Sequence, residues 1–218
     1  MRKSELKKSN VERGFDWLIL PQAYFDMALV GCDWLIETIR NEKYGASEKS
    51  TIHQSIQPLQ YFVLPIVYNF KHGIELYLKG LLVDFRGEYD DKSHDLISLL
   101  NLLISKIIEN SKSLDEKTKI LKTLDSEVRK IIEKYYLGLY FGENRYKNYP
   151  DIQNEAERYP EAKSGHSYIP ESFSCWVQIS GEQRPSDGVD VESIKNEILE
   201  LKEFLRNAVG KQISFKKI

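Results

Sequence analysis

One stretch in the middle of the chain, NFKHGIELYLKGLL from Asn69 to Leu82, predicts a helix that is apolar around most of its circumference. At about 100° per residue, Glu75, Lys79 and Arg86 fall within roughly 60° of His72 and form one polar stripe. Charged groups on a buried helix are costly unless they are paired or serve a function. The stripe therefore points to a core helix that also carries the candidate site.

A purely structural interpretation explains part of this stripe. Glu75 and Lys79 are spaced i, i+4 in the order that favours a local ion pair on a helix. That pair leaves His72 and Arg86 without an explanation, so the functional interpretation stays open.

Composition limits the classes of protein that fit. The 218 residues are 41% hydrophobic, which is enough for a substantial core. A formal net charge of −2 and a pI near 6.1 argue against coating of nucleic acid by bulk charge, so any such contact would be focused. Cys32 and Cys175 lie far apart without metal-ligand spacing, and we interpret both as buried thiols in a reducing compartment.

The N-terminal region suits neither a signal peptide nor a membrane span. It is charged up to Arg13, and the apolar stretch that follows is interrupted by Asp16, Pro21 and Asp26. We therefore expect a cytoplasmic protein that does not associate with a membrane.

Apolar residues at helical spacing predict an all-α, up-and-down bundle of about five helices. Ser93 is a suitable cap for the third helix, with Asp95 opposing its positive end. A single domain over 15–209 would lie between a charged segment, 1–14, and a basic tail, 210–218. The first predicted helix starts near Pro21 and runs to Ile39. The second covers 59–85, with Pro65 as a kink or the true start. The other three cover 93–110, 113–136 and 191–209.

Periodicity is lost over 137–190, which is too long for an idle connection in a compact domain. The sequence FSCWVQIS, 173–180, would add a short strand. Cations and aromatic rings alternate through this segment in a way that would suit single-stranded nucleic acid. Interspersed acidic residues favour the alternative that the rings pack on the bundle.

Two further residues are candidates for the site. His94, at the start of the third helix, would act as a base or simply form a hydrogen bond. Arg158 precedes Tyr159 and Pro160, and the proline favours an extended backbone that holds the arginine in a defined direction. A surface arginine beside a turn is the alternative. His72, Glu75 and His94 could be considered as metal ligands, but the pattern His-x-x-Glu is weak and no further ligand is obviously positioned. Neither a metal nor a cofactor is therefore predicted.

Three motifs together resemble the HEPN superfamily of helical proteins. They are His72-Gly-Ile-Glu75-Leu-Tyr-Leu-Lys79-Gly on the core helix, His94-Asp95-Leu at the next helix, and Arg158-Tyr159-Pro160 before the last helix. The resemblance extends in pattern over 15–209. It implies a helical bundle, frequent homodimers and, in many members, metal-independent RNA cleavage in prokaryotic defence or toxin systems.

In those nucleases an arginine and a histidine, separated by roughly four to six residues near a helix start, act together on the scissile phosphate. Here Arg86 and His94 have seven residues between them, as do Arg158 and His166. The catalytic pair therefore does not transfer directly, and a spatial substitute would need His72, His94 and Arg158 to meet.

The first hypothesis is an RNA-directed protein with His72, His94 and Arg158 in catalytic roles and Glu75, Lys79, Arg86 and Tyr159 at the substrate. The second is a non-catalytic helical module in which Glu75, Lys79, His94 and Arg158 form a buried structural network and one face of the bundle makes a dimer. A nucleotide or small-ligand pocket in the same place is the third. The expected partners are a second copy, RNA and an unidentified protein.

Overall fold

The computed structural model describes residues 10–45, 60–86, 93–110, 121–122, 124–136, 176–178 and 188–215. Within these ranges the chain is an all-α bundle, as the periodicity predicts. Its five α-helices are α1 (Asn10–Gly45), α2 (Gln60–Arg86), α3 (Leu96–Asn110), α4 (Arg129–Tyr136) and α5 (Val191–Phe215), and a π-helical segment (Leu124–Val128) directly precedes α4.

Helices α1 and α2 form the most extensive pair and approach each other closely at two glycines. A Cβ atom on Gly31 would lie 2.7 Å from Cγ1 of Ile66, and one on Gly73 would lie 2.7 Å from Cε1 of Phe25. The later residue of α1, Gly31, meets the earlier residue of α2, Ile66, and the earlier residue of α1, Phe25, meets Gly73. The two helices are therefore antiparallel. The absence of a side chain at these glycines lets the helices sit this close.

Helix α5 lies against α1 and is held along its edge by ion pairs. Nζ of Lys195 lies 2.6 Å from Asp33, and Lys202 pairs with Asp26. These pairs show that α5 is also antiparallel to α1. All five helices contribute to one core, which includes Phe25, Leu35, Phe70, Leu82, Leu100, Leu103, Ile132, Ile198 and Leu205.

Asp95, not Ser93, caps the start of α3. Its Oδ1 accepts hydrogen bonds from the backbone N–H groups of Ile97 (3.0 Å) and Ser98 (3.2 Å). The hydroxyl of Ser93 instead accepts from the N–H of Asp95 at 3.1 Å. The expected roles of the two residues are therefore corrected, because Asp95 directly precedes the first helical residue and its carboxylate reaches the free N–H groups.

The fourth predicted helix is present at its C-terminal end, where α4 runs to Tyr136. The turn before it is π-helical rather than α-helical. Arg129 donates to Asn101 of α3 at 2.6 Å, and the ring of Tyr135 meets that of Phe70 on α2 edge to face, with centroids 5.1 Å apart. Helix α4 is thus fixed to both neighbours. The capping pattern at 113–116 lies outside the described residues.

Two short parallel strands, β1 (Trp176–Gln178) and β2 (Gly188–Asp190), pair before α5. β1 lies within the segment predicted to form a strand. β2 was not predicted; it leads into α5, where Oδ1 of Asp190 accepts a hydrogen bond from the N–H of Ser193 at 3.0 Å. The remainder of the aperiodic segment lies outside the described residues.

Both ends of α1 and the C-terminal end of α5 differ from expectation. Helix α1 begins at Asn10, so Pro21 lies inside it and does not start it; Pro65 likewise lies inside α2. Helix α5 continues beyond Val209 to Phe215, into the segment predicted as a tail. No helix in the described ranges is both long and apolar enough to span a membrane.

Candidate functional site

The structure brings together four of the predicted site residues at the junction of α2 and α3. They are His72, Glu75 and Lys79 of α2 and His94 of the segment just before α3. Arg86 is the last residue of α2, but its side chain lies outside the described part of the molecule. The same holds for the whole of Arg158 and Tyr159, so their predicted roles remain predictions.

Glu75 is the centre of this cluster and is buried, with 1% of its surface exposed. Its Oε1 lies 2.8 Å from Nζ of Lys79 and 2.9 Å from Nδ1 of His94. Its Oε2 faces Nδ1 of His72 at 3.6 Å, a distance beyond ordinary hydrogen bonding. One carboxylate thus links two turns of α2 to the start of α3.

The surroundings of Glu75 keep it ionised. Burial alone would raise the pKa of this carboxyl, but the contacts from His72 and Lys79 and the charges of Lys79 and His94 outweigh burial and lower the pKa from 4.5 to about 2. A buried carboxylate is stable only when cations or N–H donors surround it. Glu75 is therefore a fixed negative charge at neutral pH.

His94 is the most accessible member of the cluster, with 44% of its side chain exposed. Because the ionised Glu75 can only accept a hydrogen bond, Nδ1 of His94 carries the proton in their contact. In the neutral ring this leaves the lone pair on Nε2, the form in which histidine accepts a proton. The geometry therefore orients His94 for acid–base chemistry.

His72 is held between two aromatic rings. Tyr24 of α1 meets it edge to face at 4.6 Å, and Tyr68 stacks on it at 5.6 Å with an interplanar angle of 10°. Its side chain is only 16% exposed. The rings fix its orientation beside Glu75.

Lys79 cannot meet a substrate while it keeps its present contact. It is 6% exposed and its ammonium is hydrogen-bonded to Glu75. Glu75 and Lys79 therefore lie behind His94 and are both buried, and their predicted contact with a substrate remains a prediction.

Lys71 is a buried charged residue that the sequence analysis missed. It has no measurable exposed surface and is among the largest fully buried side chains of the described residues. It lies at the edge of the polar stripe, four residues before Glu75 and about 40° from it around the helix. The signal was its position on a helix that is apolar nearly all round, where a lysine has little access to solvent.

Cys32 has the character of an inert core thiol, as predicted. It is buried in α1. Burial, and secondarily the charge of Asp33, raise its pKa to about 12, although Lys195 acts in the opposite direction. A thiol in this state is a poor nucleophile. Cys175 lies outside the described residues.

No group of three or more metal-ligating side chains is placed to hold an ion in the part of the chain that the structure describes. A groove of about 580 Å³ lies elsewhere, between α1 and α5, where Arg40 pairs with Glu192 at 2.8 Å. None of the predicted site residues lines it. The candidate site is therefore the cluster around Glu75.

Comparisons with known proteins found no matching family model, curated protein or solved structure. The chemistry of the cluster must be argued from its own geometry.

Proposed function

We propose that this chain is a helical RNA-binding protein and a metal-independent endoribonuclease in which His94 transfers protons. The observation that supports this most directly is the contact of half-exposed His94 with buried, ionised Glu75 at 2.9 Å. A carboxylate behind a histidine fixes the tautomer of the ring and stabilises the protonated form that follows proton uptake.

In the proposed reaction, Nε2 of His94 accepts the proton of a ribose 2′-hydroxyl. The 2′ oxygen attacks the adjacent phosphorus, the bond from phosphorus to the 5′ oxygen breaks, and a proton passes to that leaving oxygen. His72, which faces the same carboxylate, is the second acid–base group. The products are a 2′,3′-cyclic phosphate and a free 5′-hydroxyl.

The cations that would stabilise the developing phosphate charge are assigned from the sequence, because their side chains lie outside the described residues. Lys79 is occupied by Glu75, so this role falls to Arg158 and Arg86, with Tyr159 stacking on a base. The resemblance of the three motifs to the HEPN superfamily supports the same assignment. On that resemblance we also propose a cytoplasmic protein of a bacterial defence or toxin system, acting with an unidentified protein partner.

RNA cleavage by purified protein in EDTA tests this function, with two variants at one position. In His94→Asn, the amide nitrogen can replace Nδ1 and keep the hydrogen bond to Glu75, but no proton acceptor remains; His94→Ala removes both. We expect both variants to lose cleavage and His94→Asn to keep the thermal stability of the wild type. Absence of cleavage by the wild type across varied RNAs, or full activity of His94→Asn, would overturn the proposal.

The same contacts favour one alternative, a structural network in a non-catalytic module. Glu75 connects α2 to the start of α3 and also accepts a hydrogen bond from the ammonium of Lys79. In that case the wild type does not cleave RNA and His94→Ala lowers the melting temperature. Thermal shift with nucleotides but not with RNA would instead indicate a small-ligand site.

A further inference from the structure

The groove of about 580 Å³ between α1 and α5 lies apart from the cluster around Glu75 and has a size of its own to explain. Its volume falls within the range of sites that bind small molecules in proteins. Its lining combines charged, amide and aliphatic side chains from the two helices. A ligand that fits this groove would therefore have both a charged and an apolar part.

Two ion pairs cross the groove from one helix to the other. The guanidinium of Arg40 on α1 lies 2.8 Å from Oε1 of Glu192 on α5. Nζ of Lys195 on α5 lies 2.6 Å from Oδ1 of Asp33 on α1. Each of these two cations thus has a carboxylate beside it. An anionic ligand would have to compete with those carboxylates, so the groove is poorly suited to bind one.

Glu37 is the third carboxylate of the groove and differs from the other two. Its side chain is exposed and, among the residues that the structure describes, it has neither an ion pair nor a hydrogen bond. It lies four residues after Asp33 and three before Arg40, so the three side chains share one face of α1. Three carboxylates against two cations leave the lining with one net negative charge. The groove therefore favours a cation, and Glu37 is the group that would meet it.

The uncharged lining residues suit an amine that carries a short apolar stem. The side-chain amides of Asn41 and Asn196 each supply an oxygen that can accept a hydrogen bond from an ammonium group. Leu199, which is 44% exposed, and the buried Ile36 supply aliphatic surface for methylene groups. Charge, acceptors and apolar contact are thus all present within one groove.

We propose that the groove between α1 and α5 binds a primary alkylammonium group, with the ammonium at Glu37 and its methylene stem against Leu199. The group belongs either to a free aliphatic amine or to a lysine side chain of another protein, which present the same chemistry. This site is separate from the cluster around Glu75, and the proposal does not depend on RNA cleavage.

Calorimetric titration of the full chain with 1,4-diaminobutane at low ionic strength tests the proposal, since salt screens an exposed charge pair. We expect saturable binding by the wild type and binding about five- to tenfold weaker for Glu37→Gln, which removes the charge of the acceptor. Glu200→Gln is the matched control, because Glu200 is an exposed glutamate of α5 outside the groove. Butane-1,4-diol, of the same length but without charge, should not bind. No binding of the diamine, or equal weakening by both variants, would overturn the proposal.

Arg40→Gln changes the charge of the groove in the opposite direction. Loss of the guanidinium leaves Glu192 without this counter-charge, so diaminobutane should bind about two- to fivefold more tightly. The side chain of Arg40 is 58% exposed, so the fold should tolerate the change, and thermal unfolding checks that it does. Weaker binding of the diamine by Arg40→Gln would contradict the proposal. Inorganic phosphate that binds the wild type but not Arg40→Gln would assign the groove to anions instead.

A second probe distinguishes the two sources of the ammonium group. Lysine with both its amino and carboxyl ends blocked carries one ammonium on a four-carbon stem. Tighter binding of blocked lysine than of diaminobutane would indicate a lysine side chain of another protein, and the reverse order would indicate a free diamine. Either order, together with the loss in Glu37→Gln, supports an alkylammonium site.

Discussion

Glu75 and His94 are joined by a 2.9 Å contact between Oε1 and Nδ1, although they lie on different elements of the bundle. Lys79 shares the same oxygen at 2.8 Å. The start of α3 is thus tied electrostatically to the middle of α2. Disturbing one member of this cluster should affect the others, and the variants below separate their contributions.

Glu75→Gln should destabilise the fold by about 3–5 kcal/mol, because it removes the negative charge that Glu75 places 2.8 Å from the buried ammonium of Lys79. Adding Lys79→Met should restore part of that loss, since the apolar side chain fills similar space and carries no charge. Urea unfolding of the two single variants and the double variant measures both effects. A loss below about 1 kcal/mol for Glu75→Gln would show that the ion pair is not effectively desolvated.

Acid should destabilise the protein through Glu75. The pKa of this carboxyl is lowered from 4.5 to about 2 in the folded state, so between these values the unfolded chain binds more protons than the folded chain. The stabilisation is complete above about pH 4.5 and is lost as the pH falls toward 2, by at most roughly 3 kcal/mol. Urea midpoints from pH 6 to pH 2.5 should fall more steeply for the wild type than for Glu75→Gln/Lys79→Met. Parallel curves would contradict the assignment.

Gly73→Ala should destabilise the α1–α2 pair by about 1–3 kcal/mol, although the same change usually favours a helix. The new Cβ would lie 2.7 Å from the ring of Phe25, which is fully buried and has little room to move. Phe25→Leu in the same chain should relieve the clash, so the double variant should be more stable than the sum of the single effects predicts. Additive losses in thermal or urea unfolding would mean that the helices separate slightly to accommodate the methyl group.

Asp95→Ala should cost about 1 kcal/mol, because it removes the acceptor for two backbone N–H groups at the start of α3. Ser93→Ala should cost less, since the hydroxyl accepts from the N–H of Asp95, which precedes the first helical residue. Urea unfolding of the two variants measures the difference. A larger loss for Ser93→Ala would restore the serine as the principal cap.

Helical periodicity was sufficient to predict the main helices, and the polar stripe was sufficient to predict that His72 and Glu75 lie on one side of α2. It could not decide between Ser93 and Asp95 as the cap, because both have suitable side chains and only the backbone path selects one. The start of α1 was missed because Pro21 is compatible with both a first turn and an interior position.

His94 and Glu75 were both predicted to belong to the site, but the atoms through which they meet were not predictable. Long-range contacts depend on how two helices pack, which local spacing does not encode. Lys71 is a second example, because its spacing on α2 did not reveal that its side chain would be completely buried.

The π-helical segment Leu124–Val128 should allow the chain to lose one residue at this point. A π-helical turn places one more residue in about the same rotation as an α-helical turn. Deleting Ser126, which is exposed, should therefore let an ordinary α-helical turn form while α4 keeps its orientation. A deletion inside α4 would instead rotate every later residue of that helix by about 100° and carry Tyr135 away from Phe70. One-residue deletions among homologous chains should accordingly be accepted at this turn and be excluded from the helix that follows.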